Sequence, residues 1–303
     1  MTSISLIGAL LWEQWRPVHD RNQLAISLLA YVDLLKNYFN TGIRYHGTLA
    51  WFVAVIPILF CTGIIYYLLD TFSPILGWMW NIVVLYFTMS FRQFNQSLAD
   101  IAQALKNEDL PQARELLKQW SGVYVEKLNG TEIIEVTIRS GLIYSYHRLF
   151  SVLICFAILP GPIGPVLYRL AELMGKRWGS LTQDEGDSFG HFSTAILKTI
   201  DWLPTRLTAI SFAIVGNFED AIYCWKMQAT LLTNRADGII FVSGAGALGV
   251  RLGDFTQKNT DESPRLQLGG EKEANINFLQ GTVNLIWRAL VLWLLLLLVI
   301  GRM

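Results

Sequence analysis

The heptapeptide Asp201-Trp202-Leu203-Pro204-Thr205-Arg206-Leu207 sets a carboxylate and a guanidinium five residues apart, ahead of the apolar run 208–216. A charge in or beside a bilayer helix costs about 2.5–3.5 kcal/mol on insertion scales, so it usually faces a partner or a cavity. Proline is tolerated in the first helical turn, where its missing N–H costs no hydrogen bond. The pattern predicts a helix that begins near Asp201, with Asp201 at or near the N-cap, Pro204 in the first turn and Arg206 one turn inside. Two readings stay open. One is a capped helix with a snorkelling Arg. The other is a polar cluster at the mouth of a membrane-embedded ligand site, in which Asp201 and Arg206 pair or share a ligand with Arg148.

Other groups able to do chemistry are sparse. The four histidines, His19, His46, His147 and His191, have no metal-ligand spacing, and only His147, flanked by Tyr146 and Arg148, draws notice. Cys61, Cys155 and Cys224 lie far apart, which suggests neither a disulfide framework nor a zinc site. No metal site is expected. No G-x-S-x-G nucleophile elbow appears inside the expected spans, and the P-loop pattern is absent from the sequence. Gly244-Ala245-Gly246-Ala247-Leu248-Gly249 matches G-x-G-x-x-G, but a dinucleotide site needs that pattern inside a βαβ unit, and none is visible. Close packing of small residues between membrane helices is the better explanation.

The elements that must position these residues read as membrane helices. The 303 residues are 52% hydrophobic and only 16% charged. Soluble domains carry roughly a quarter charged residues. The 24 basic and 24 acidic residues cancel, so nothing points to nucleic acid. The expected fold is all-α: a polytopic helical integral membrane protein with amphipathic cytoplasmic helices, taken as a single membrane domain over 1–303. Residues 2–12 form an apolar run too short to span, and Glu13 to Pro17 end it. No basic segment precedes that run, so a removable signal peptide is not expected. Residues 23–38 have helical apolar spacing and are expected on the membrane surface. Spans are expected at 49–69, 75–90, 149–170 and 283–300, with 200–216 as a further apolar stretch. The first two form a hairpin around Asp70.

Residues 91–148 read as a cytoplasmic helical insert, with Asp109 as an N-cap, Pro111 in the first turn behind it, and a helix opening at Thr131. Pro160-Gly161-Pro162-Ile163-Gly164-Pro165 marks a broken helix beside a site, or a turn between two helices. Residues 172–199 read as a polar, solvated loop, 217–233 as a helix, and 254–275 as a mobile polar loop. Lys and Arg before the first span and throughout the insert place both regions in the cytoplasm. The lipid bilayer is the expected partner, in a bacterial inner membrane, and self-association stays open.

With these residues in view, a family resemblance emerges. Asp201 to Leu207, followed by Ala213, Gly216, Ala221 and Trp225, resembles the AmpE proteins, inner-membrane proteins associated with β-lactamase induction. The CobD/CbiB proteins of the same superfamily carry a similar Leu-Pro-Ala-Arg-Leu there. The stretch Gly246 to Gly253 resembles their Gly-Ala-Leu-Gly segment, and Ser97 to Trp120 is similar to them as well. The CobD/CbiB resemblance implies an ATP-dependent amide synthesis, in which an aminopropanol or its phosphate is joined to adenosylcobyric acid. Mg-ATP and a corrinoid substrate would then be required.

That family carries a Glu-x-x-x-Glu-Asn-x-x-Asp pattern before its third major apolar segment. The aligned positions here are Ser140, Tyr144, Ser145 and Arg148, so the acids are gone and an Arg stands in place of one. The expectation is therefore an AmpE-like ligand-binding or signalling membrane protein, with a divergent synthase as the alternative. The resemblance and the charges together nominate Arg148, Asp201, Arg206, Gly246, Gly249 and Arg251 as ligand-binding residues.

Overall fold

Apolar segments that satisfy their own backbone hydrogen bonds become helices, and nearly all of this chain does so. The computed structural model describes residues 5–6, 8–10, 12, 23–40, 44–89, 91–122, 128–159, 161–180, 188–232, 234–253 and 266–300. The expected break at 13–17, the acidic loop 184–187 and most of the polar segment 254–275 lie outside these residues. The chain packs into two compact units, one formed by 1–90, 147–204 and 297–303, the other by 91–146 and 205–296.

In the first unit, α1 (Gln23–Phe39) lays Val32 and Leu35 onto Ala50 and Trp51 of α2 (Arg44–Phe72). Leu170, Met174 and Trp178 of α8 (Ile163–Gly179) complete that core with Phe189. The stretch Tyr45–Phe72 is long and apolar enough to cross a membrane, and only 17% of its most apolar window is buried by protein. Phe52, Ile56 and Phe60 therefore stand outward, as lipid-facing side chains do. Ser73 accepts a hydrogen bond from the Ile75 amide, and Pro74 opens α3 (Pro74–Thr88), which gives the expected hairpin. With 15 residues, α3 is about 22 Å long, short of the roughly 30 Å hydrocarbon core.

In the second unit, α4 (Phe91–Lys106) and α5 (Leu110–Ser121) are amphipathic and bury Leu98, Ile101, Leu105, Ala113 and Leu117. The Asp109 carboxylate caps α5, accepting the Gln112 amide at 3.0 Å, with Pro111 in the first turn as expected. Asn129 and Glu132 form a reciprocal capping box at the start of α6 (Gly130–Ser145). This unit also holds α10 (Phe218–Gln228), α11 (Arg235–Leu248) and most of α12 (Ile276–Ile300). Its antiparallel hairpin pairs β1 (Arg251–Gly253) with β2 (Gln267–Gly269), so part of the segment expected as a polar loop is hydrogen-bonded strand.

Three expectations need correction. The third apolar span is not 149–170. The helix runs without a break from Gly130 through a π turn at Tyr146–Phe150 into α7 (Ser151–Ile158), and 72% of its apolar window is buried. Its termination at Leu159, with Gly161 in the left-handed region at φ 64°, makes the proline-rich segment a turn between helices. Second, Glu172 does not begin a solvated loop. It is buried within α8, where three cations solvate it in place of water. Third, α9 starts at His191 and ends at Val215, so Asp201 is a mid-helix residue and Pro204 an interior proline. Pro204 has no N–H for the Ile200 carbonyl, but the packed helix continues through that gap. Among the described residues, three helices are long and apolar enough to cross a membrane: Tyr45–Phe72, Gly130–Ile158 and Ile276–Val299.

Candidate functional site

The π turn carries the two residues around which the first unit's polar groups gather. Such turns add a residue to the helical repeat and occur often at functional sites. His147 is buried, and its Nδ1 lies 2.8 Å from the Tyr168 hydroxyl. That hydroxyl donates to Asp201 Oδ1 at 3.1 Å. With the phenolic proton committed to the carboxylate, the hydroxyl accepts from the imidazole Nδ1–H. Residues from the π turn, α8 and α9 thus form one relay, His147–Tyr168–Asp201, sealed from water.

One turn along α8 from Tyr168, a second cluster is built at helical spacing. Glu172 receives Arg169 on Oε2 and Lys176 on Oε1, the latter at 2.8 Å. His147 Nδ1 is 4.0 Å from Glu172 Oε1. Burial alone would raise this carboxyl's pKa. The charges of Arg169, Lys176, His147 and Arg148 outweigh that and hold it well below the ordinary carboxylate range. Arg148 opens onto a cavity of about 740 Å³ that is also lined by Lys36 and Asp33 of α1 and by Arg169, Glu172, Lys176 and Arg177 of α8. Five cations face two carboxylates there, and Glu172 is already neutralised. The cavity is suited to an anion.

The structure brings Arg148 together with Glu172, and Asp201 together with His147 through Tyr168. Asp201 and Arg206 share α9, about 140° apart around its axis. In the second unit Gly246 is a packing residue: a Cβ there would sit 2.6 Å from the Asp220 carbonyl and 2.9 Å from Ala221 Cα. Gly249 ends α11 in the left-handed region at φ 69°. Arg251 donates to the Glu271 carbonyl at 2.7 Å and braces the hairpin. Among the described residues no strand leads into α11, and the glycine pattern forms the end of a helix instead of a dinucleotide turn. Sequence reasoning missed Tyr168, Arg169, Glu172 and Lys176. Their signal was the spacing Arg169-x-x-Glu172-x-x-x-Lys176, which puts both cations on the carboxylate's face of a helix.

Two of the positions that the sequence resemblance sets against the family's acids make contacts of their own. Tyr144 stacks on Phe94 at a centroid distance of 6.3 Å and lies 5.8 Å from Trp120. Ser145 Oγ donates to the Leu142 carbonyl. A Mg²⁺ ion needs oxygen donors, usually one or two carboxylates with water and phosphate. Among the described residues, no three His, Cys, Asp or Glu side chains group to hold a metal, and both Glu172 oxygens are engaged by cations. These side chains do not fit the ion.

The family profile described as CobD/Cbib protein matches residues 6–286. The chain belongs to the CobD/CbiB family. It is 30% identical to the Cobalamin biosynthesis protein CobD of Stutzerimonas stutzeri over 299 residues, which is 97% of this chain and 96% of that one. It is 29% identical to the protein of the same name in Chromobacterium violaceum, covering 73% of this chain and 70% of that one. The Clostridium perfringens protein of that name is 24% identical, over 73% and 71%. No solved structure matches. Membership extends over both units of this CobD/CbiB chain, including the cationic cavity and the glycine-rich end of α11.

Proposed function

We propose that this CobD/CbiB-family chain is a multi-pass inner-membrane protein, connected with the cobamide pathway of its relatives, that binds an anionic ligand through Arg148 and does not synthesise amide bonds. The fate of the aligned acidic positions carries this reading. Tyr144 belongs to an aromatic cluster, Ser145 turns onto its own helix, and Arg148 is one of five cations on a cavity whose buried carboxylate is neutralised. Activating a carboxylate with ATP requires metal-bound phosphates, and the side chains present favour anion binding instead. Asp201 acts through Tyr168, as a positioning residue for His147. Gly246, Gly249 and Arg251 keep the second unit's fold around any contact they make. An AmpE-like role, in which the bound state is read by a partner, is compatible with this arrangement.

A second reading, a divergent amide synthase, is favoured by one observation: 30% identity along nearly the whole of a protein named for cobalamin biosynthesis. Magnesium-dependent ATP turnover separates the two. Purified protein is given adenosylcobyric acid, an aminopropanol phosphate and Mg-ATP. Turnover no higher than without the corrinoid is expected. Corrinoid-dependent ATP hydrolysis with amide product would establish the synthase.

A further inference from the structure

We infer that the cavity beside Arg148 holds the phosphate of an anionic phospholipid whose acyl chains run along the exposed apolar face of α1. This rests on the reading of that cavity as a ligand site, and it names the ligand's class. Three faces of α1 carry the inference. Val32 and Leu35 are buried in the core. Asp33 and Lys36 line the cavity. Leu34 and Tyr38 form the third face, 63% and 80% exposed. Large apolar side chains thus flank a basic cavity on the same helix. In a soluble protein this would be a costly surface, whereas at a membrane boundary it is the expected one.

The chemistry of the lining selects the headgroup. Guanidinium groups recognise phosphate oxygens through paired donors, and lysines add charge. Basic pockets beside membrane helices on the cytoplasmic side are recurrent sites for anionic headgroups. Leu29 and Leu173 line the same cavity and give a glycerol backbone an apolar wall. From there the acyl chains follow the exposed Leu34 and Tyr38 of α1. A small soluble phosphate would satisfy the cations but would have no use for that apolar path.

The test uses the full chain in nanodiscs and a fluorescent phosphatidylglycerol probe, with phosphatidylcholine as the neutral competitor and glycerol phosphate as the soluble one. Unlabelled phosphatidylglycerol should displace the probe at least about tenfold more effectively than phosphatidylcholine. Millimolar glycerol phosphate should not displace it. Lys36→Glu together with Arg148→Gln should weaken probe binding by about tenfold or more. Lys198→Glu, which reverses an exposed charge of α9 outside the cavity lining, should change it less than about twofold. Equal displacement by both lipids, or a cavity variant that binds like the unaltered protein, overturns the inference. Displacement by glycerol phosphate alone assigns the site to a soluble phosphate and overturns the lipid assignment. Since ATP plays no part in the assay, its failure is distinct from a failure of the non-catalytic reading.

Discussion

Arg177 clasps Asp33 across 144 residues of chain, with Nε 2.8 Å from Oδ1 and NH2 2.5 Å from Oδ2. The paired geometry holds α8 to α1 at the rim of the cavity, and the hydrogen bond from Arg177 is the main reason the Asp33 pKa lies below its ordinary value. Both side chains are partly exposed, so solvent screening keeps the pair weak. Asp33→Asn should cost less than about 1 kcal/mol, and the difference should fade in 1 M salt. Denaturant titration at low and high salt measures this. A loss that is large and independent of salt would mean Asp33 does more than clasp Arg177.

Glu172 is a different case, because it is buried beneath three basic side chains and an imidazole. Glu172→Gln removes the buried carboxylate that Arg169 and Lys176 engage from partly exposed positions, at a cost of about 1–3 kcal/mol. The pH dependence has a definite sign. A carboxyl whose folded pKa is depressed contributes stability in full above its unfolded value of about 4.3, and loses it as pH falls through the folded pKa. Thermal unfolding of the unaltered protein should therefore become easier below about pH 4, and Glu172→Gln should remove part of that slope. An identical acid profile in the variant would contradict the assignment.

The relay offers a test by coupling. Tyr168→Phe leaves Asp201 and His147 facing a ring without a hydroxyl, and should cost about 1–3 kcal/mol. Asp201→Asn should cost a similar amount. Because both act through one chain of hydrogen bonds, the double variant should fall short of the sum by at least about 0.5 kcal/mol. Strict additivity in a double-mutant cycle would show that the three groups do not act as one network.

Gly246 tests the packing account of the glycine motif. A methyl group at 2.6 Å from the Asp220 carbonyl forces α10 and α11 apart, so Gly246→Ala should destabilise by about 1–3 kcal/mol. Gly249→Ala meets open space, and only its left-handed backbone resists, so about 1 kcal/mol is expected. Melting of the two variants side by side should place Gly246→Ala lower.

Much of the fold was legible because its signals are local. Asp109 with Pro111 marked a helix start, and the uncharged run after Leu49 marked a span. The start of α9 was not legible. Asp201 and Pro204 imitate an N-terminus so well that the ten helical residues before them were hidden, and only packing keeps the helix intact across Pro204. The site was half legible. Arg148 and Asp201 stood out as charges beside apolar runs, but the partners they meet, Glu172 and Tyr168, come from a helix whose polar half resembled a solvated loop. Burial of Glu172 depends on cations that a linear pattern does not bring together.

The absence of amide-forming chemistry from this CobD/CbiB-family chain is a proposal. Its most direct test is complementation of a bacterial strain lacking adenosylcobinamide-phosphate synthase, grown so that cobalamin must be made from cobyric acid. With the protein verified in the membrane and folded, no growth is predicted. Growth restored to the level given by an active CobD would contradict that proposal and establish the synthase.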